Sequence, residues 1–133
     1  MSGESNLSEL LAAMAPEMQA ERYVFARADE LPSAIEPTAM VREEEGITLV
    51  LPQEIADRHV LEYDHVAAMI TLRVHSSLDA VGLTAAVTSR LARAGMSCNV
   101  LAGYYHDHLF VPAERGHEAV ELLTSVGQER LGG

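Results

Sequence analysis

The sequence predicts an α+β fold, an antiparallel sheet with helices on one face, from three observations. The second half alternates strand, helix, strand, strand and helix. The first half contains a helix, a strand and a hairpin, an order that resembles a degenerate version of the same unit. With 133 residues, 48% of them hydrophobic, the chain is long enough to build one compact core.

In the first half, the spacing of apolar residues and the turn signals predict four elements. They are a helix over 7–14, a strand over 23–26, a hairpin of 40–42 with 47–51, and a short helix or turn over 53–59. Pro16 stops the first helix, and Gly46 supplies the positive φ that a tight hairpin needs. The three carboxylates at 43–45 are interpreted as solvated turn residues rather than a cation site.

The second half has the clearer pattern. It predicts strands over 69–75, 98–105 and 108–111, with helices over 80–94 and 116–126. The first strand alternates, with Ile70, Leu72 and Val74 on one face. In the first helix, apolar residues recur at a spacing of four and Gly95 closes the last turn. These elements form five parts of a β-α-β-β-α-β unit, and residues 128–133 are too short and polar to predict the sixth.

Charge and targeting signals exclude several classes of protein. Nine basic residues, every one of them arginine, face twenty acidic ones, for a net charge of −11. Such a surface repels phosphate backbones and anionic lipids, so we expect no nucleic-acid or membrane partner. The N-terminus has no signal-peptide pattern, and Cys98 is the only cysteine. We therefore expect a cytoplasmic protein without disulfides.

Catalytic and metal-binding interpretations are weaker. His106, Asp107 and His108 suggest a metal site, with His75 or His117 as a third histidine ligand, but their spacing within one turn does not make them converge. A lone cysteine such as Cys98 at the start of a strand is more often a small buried apolar residue than a nucleophile. We expect no metal, no cofactor and no enzymatic activity.

A family resemblance rests on a long central run, HSSLDAVGLTAAVTSRLARAGMSCNVLAGYYHDHLFVP, together with RYVFAR and REEEGITLVLP. The chain resembles small bacterial proteins related to the ACT domain. The resemblance implies the ferredoxin-like βαββαβ fold and association side by side, here as a homodimer. It also suggests a degenerate ACT-like half over 1–66 and an ACT-like domain over 67–133.

The resemblance also implies a ligand site. An amino-acid-like molecule would bind between the loop after the first strand and the start of the second strand. The residues at these positions are Ser76, Ser77, Asp79, Val81, Gly82, Leu83, Cys98, Asn99 and Val100. A helix N-terminus suits a carboxylate, Gly82 permits close approach, and an Asn99 amide both donates and accepts. The alternative is structural: Ser76 and Asp79 would only cap the helix, and Gly82 would only permit helix–sheet packing.

Two functions follow. The first is a regulatory domain that senses an amino acid at an interface between subunits. The second is an interaction module without a small ligand, which docks through a sheet edge left open by the missing last strand. The same gap also leads us to expect that the N-terminal half completes the sheet.

Overall fold

The structure is a computed structural model, and it describes residues 12–73 and 82–132. Its elements are β1 (Glu17–Ala28), β2 (Ala39–Glu43), β3 (Gly46–Pro52), α1 (Gln53–Arg58), β4 (Glu62–Leu72), α2 (Leu83–Arg93), β5 (Asn99–Ala102), β6 (Asp107–Pro112) and α3 (Gly116–Gly132), with a 3₁₀ turn at Ala113–Arg115. The helix predicted over 7–14 lies largely outside the described residues, although Ala12 and Ala13 are helical.

The six strands form one sheet in the order β2-β3-β1-β4-β6-β5. Each neighbouring pair is antiparallel. The predicted fold class, an α+β ferredoxin-like arrangement with two related halves, is confirmed.

Strands β1 and β4 serve both halves of the chain. The second half contributes β4, β6 and β5, and β1 lies on the free side of β4, in the place of the strand this half lacks. The first half contributes β1, β3 and β2, and β4 lies beside β1 in the equivalent place. The N-terminal half therefore completes the sheet, as expected. The prediction of an open sheet edge at the place of the missing strand is wrong, because β1 occupies that place.

Strand β1 is much longer than the predicted 23–26. Its first half is polar and largely exposed, so the apolar alternation that marks a strand in the sequence is missing there. Three residues of β1, 19–21, stand opposite Met69 alone, between the pairs Met18–Ile70 and Arg22–Ala68. The excess is two residues, an even number, so the alternation of faces along β1 is the same on both sides of the bulge.

The helices cover one face of the sheet. Along β4, Ala68, Ile70 and Leu72 point to this face and are buried with apolar residues of α2 and α3. Under α1, a second cluster contains Val24 and Ala56. The predicted stripe of α2 is confirmed, since its buried residues are Leu83, Val87 and Leu91.

Helix α2 ends as its sequence predicts. Gly95 adopts φ 72°, its N–H donates to the carbonyl of Ala92, and the N–H of Met96 donates to the carbonyl of Leu91. This is a Schellman motif, in which the left-handed residue is glycine because it has no Cβ. The Arg115 guanidinium donates to the carbonyl of Ala94 at 3.0 Å and to the carbonyl of Gly95 at 3.1 Å.

The β5–β6 hairpin turns earlier than predicted. Its turn comprises 103–106 instead of 106–107, because the Gly103 N–H donates to the carbonyl of His106 at 2.9 Å. Tyr104 and Tyr105 are therefore exposed at the tip rather than in a strand. Strand β4 ends at Leu72, and the predicted end at 74–75 falls outside the described residues.

Candidate functional site

The N-terminus of α2 carries the first part of the predicted ligand site. Gly82 is the N-cap residue, with φ 103°, and no side chain of the described residues bonds to the cap. Leu83 is buried and belongs to the core. The left-handed backbone explains why this position is glycine. Four further predicted residues lie outside the described ones: Ser76, Ser77, Asp79 and Val81.

The start of β5 carries the second part. Cys98 is half-buried against the core on the helix-covered face, and burial raises the pKa of its thiol. Asn99 pairs with Phe110 and Val100 with Leu109, so these two side chains point to opposite faces of the sheet. Val100 lies on the helix-covered side, 37% exposed, and Asn99 lies on the other side.

These two parts lie at opposite ends of α2. The helix has 11 residues and is therefore about 16 Å long, at roughly 1.5 Å per residue. It starts beyond the Leu72 end of β4, which is level with Ala102 at the end of β5. It ends shortly before Asn99, at the start of β5. One chain therefore does not bring Gly82 close to Asn99.

The face opposite the helices carries an apolar cluster made by strands, which we call the strand face. Its buried members are Tyr23, Val50, Ala67, Met69 and Phe110, with Phe25, Ala39 and Leu101 packed against them. The Phe110 ring meets Phe25 edge to face, with ring centroids 5.1 Å apart. The strand alternation predicts that this face exists, but not that aromatic rings from separate strands meet on it.

A groove of 740 Å³ lies at one end of the strand face. Strand β6 stops at Pro112, opposite Ala67, whereas β4 extends back to Glu62. The groove lies at this step, and its lining includes Asp64, Asn99 and Glu114. The family resemblance places Asn99 in a ligand site, but the sequence gives no sign of the groove, because the ends of paired strands depend on register.

A hydrogen-bonded chain crosses the other end of the strand face. The Gln19 side-chain amide donates to Thr71 Oγ1 at 3.1 Å, and Thr71 Oγ1 lies 3.0 Å from His108 Nδ1. Burial lowers the pKa of His108, and the nearby His106 and Arg73 lower it further, against an opposing effect of Asp107.

This arrangement separates His108 from Asp107, the acidic residue of the suggested metal site. His108 points to the strand face, whereas Asp107, the next residue in β6, is buried toward the opposite face. Within 12–73 and 82–132, no three histidine, cysteine or acidic side chains form a group that would hold a metal. No helix among these residues is long and apolar enough to cross a membrane.

Family models identify both halves. One ACT domain model matches residues 2–68 and a second matches residues 65–125. The chain belongs to the ACT domain family, as the central run indicates. ACT domains are regulatory, ligand-binding modules rather than catalytic ones. No curated protein matches the sequence.

Solved structures share the fold of this chain. A Vibrio cholerae protein of unknown function, described as a possible transport protein, is 45% identical with a TM-score of 0.84, over 95% of this chain and 99% of that one. An Agrobacterium tumefaciens protein is 19% identical, with a TM-score of 0.69 over 84% and 87% of the two chains. The ligand-free regulatory subunit of aspartate kinase from Thermus thermophilus shares the fold, with a TM-score of 0.67 at 9% identity over 86% and 97% of the two chains.

Proposed function

We propose that this chain is a cytoplasmic regulatory domain that senses an amino acid at an interface between two copies. The observation that carries the proposal is the separation of the predicted site into two ends of α2. Gly82 has no side chain of its own to cap the first N–H groups of the helix, which suits a carboxylate, while Cys98 and Val100 lie at the far end. A complete site then needs residues from a second copy.

The edge strand β5 supplies a way to bring the two parts together. Among the described strands it pairs only with β6, so its outer edge is available. Antiparallel pairing of β5 with β5 of a second copy places the start of one strand beside the end of the other. Because Ala102 is level with the end of the sheet where α2 begins, the start of the second copy's β5 comes near Gly82. The amino acid would bind there.

The two edges of the sheet differ in charge. Strand β5 contains Asn99, Val100, Leu101 and Ala102 and has no charged residue. Strand β2, at the opposite edge, contains Arg42 and Glu43. Charges on an edge strand disfavour pairing with another sheet, so β5 is the preferred edge for association.

We also propose that the two halves of the chain divide between residues 66 and 67, in the middle of β4.

The first experiment measures thermal unfolding with each of the twenty amino acids, with and without a chelator. A ligand at a hundredfold excess over its Kd stabilises the fold by about 2.7 kcal/mol. We expect a saturable rise in Tm with one or a few amino acids, and no effect of the chelator.

A matched pair of edge variants tests the interface. Val100→Lys places a charge on β5, and Val41→Lys places one at the 52% exposed position of β2. We expect Val100→Lys to give monomers in sedimentation and to abolish the amino-acid effect, while Val41→Lys changes neither. If Val100→Lys stays dimeric, the proposed interface is wrong. If it dissociates but no amino acid stabilises the parent protein, the chain is a docking module without a small ligand.

Gly82→Asp tests the ligand end of α2. The carboxylate should repel the ligand and abolish the rise in Tm. Because any side chain at φ 103° adds strain, Gly82→Ala is the matched control, and it should retain more binding than Gly82→Asp. Unchanged affinity in Gly82→Asp would remove this position from the site.

A further inference from the structure

A bulge in β4 lies beside the groove on the strand face. Val24 pairs with Val66 and Ala26 pairs with Tyr63, so two residues of β4, Asp64 and His65, stand opposite the single residue between Val24 and Ala26. A bulge of this kind changes the direction of side chains and occurs often beside binding sites. Both Asp64 and His65 line the groove.

The floor of the groove is aromatic and apolar. Phe25 and Phe110 both line it, and they are the two rings that meet edge to face. Ala67 and Pro112, where β6 ends, contribute further apolar surface. A volume of 740 Å³ falls in the range of small-molecule sites, about 300–1,000 Å³.

The ionisable side chains that line the groove are two carboxylates and the imidazole of His65. Asp64 and Glu114 are acidic, and the lining contains no arginine. The net charge of −11 adds a negative field over the whole molecule. Aromatic rings also attract cations. Asn99 supplies an amide that donates and accepts hydrogen bonds at the same place.

We propose that this groove is a second small-molecule site, which binds a small organic cation with an apolar body, such as an arylalkylammonium. The ammonium group lies beside Asp64 and Glu114, and the apolar body lies on the Phe25 and Phe110 rings. This site is on the opposite face from Cys98 and Val100 and at the opposite end of α2 from Gly82. It is therefore distinct from the amino-acid site proposed above and does not depend on it.

Three probes of nearly equal size separate charge from shape: phenethylammonium, 2-phenylethanol and 3-phenylpropionate. Calorimetry on the full chain at pH 8 and constant ionic strength measures their binding. We expect saturable binding of the ammonium, at least tenfold weaker binding of the alcohol, and none of the carboxylate. Equal affinity for the ammonium and the alcohol would overturn the assignment of a cation site.

Substitutions locate the binding. Asp64 and Glu114 are both exposed, so the double variant Asp64→Asn, Glu114→Gln should fold normally and bind phenethylammonium at least tenfold more weakly. Glu121→Gln removes an exposed carboxylate of α3 outside the groove and should bind as the parent does. An equal loss of affinity for phenethylammonium in the double variant and in Glu121→Gln would mean that binding depends only on the net charge of the protein. The proposal would then fail.

Amide chemical shifts give an independent readout of position. Addition of phenethylammonium should shift the signals of Asp64, Ala67 and Asn99 and leave that of Leu83 unchanged. Shifts confined to Leu83 and its neighbours would place the amine at the N-terminus of α2 and refute the groove.

Discussion

Replacement of Gly116 by alanine tests the packing of α3 against the two shared strands. Gly116 is the buried first residue of α3 and has ordinary helical backbone angles, with φ −58°. Helix propensity alone therefore predicts that alanine stabilises the protein, by up to about 1 kcal/mol. The added Cβ, however, would lie 2.5 Å from Met18 Sδ in β1 and 2.9 Å from Ala68 Cβ in β4.

We expect the steric cost of the added Cβ to exceed the gain in helix propensity. The Met18 side chain is flexible and can move, but Ala68 Cβ is attached directly to the backbone of a central strand. Overpacking of a core costs typically about 1–3 kcal/mol, which exceeds the gain in propensity. At about 3–4 °C per kcal/mol for a chain of this size, we expect Gly116→Ala to lower Tm by several degrees.

Urea and thermal unfolding of Gly116→Ala, with Met18→Ala as background, provide the assay. In that background the contact with Met18 Sδ is absent, so the cost of Gly116→Ala should fall but not vanish, because Ala68 remains. A Gly116→Ala protein as stable as the parent, or more stable, would refute the packing of α3 on β1 and β4.

Two further predictions concern the shared strands and the half-buried His108. A fragment of residues 67–133 lacks β1 and should give a poorly dispersed amide spectrum, whereas a dispersed spectrum would show that this half does not need the strand. The pKa of His108 is lowered by burial, His106 and Arg73, so the unfolded chain binds its proton more readily than the folded one. Stability should therefore decrease as pH falls below about 6.5, toward the folded-state pKa. His108→Gln should lose less stability between pH 7.5 and 5.5, and an equal loss in urea unfolding would contradict this.

The sequence alone determined the local elements that its periodicity encodes. The stripe of α2, the glycine that ends it and the hairpin of β2 and β3 are all in the structure as predicted, because each depends on residues near one another in the chain. The central run also identified the family. The polar half of β1 was missed because it has no alternation of apolar residues, and its pairing with β4 is not a local property.

The tertiary structure decided how the elements combine. That β1 completes the sheet of the second half follows from contacts between distant residues, and no pattern within residues 17–22 encodes its partner. The same holds for function. The sequence placed Asn99 in a ligand site, but only the register of β5 on β6 puts its side chain in the groove opposite Cys98. Residue types are local properties, whereas the face of a sheet on which they meet depends on strand order, register and bulges.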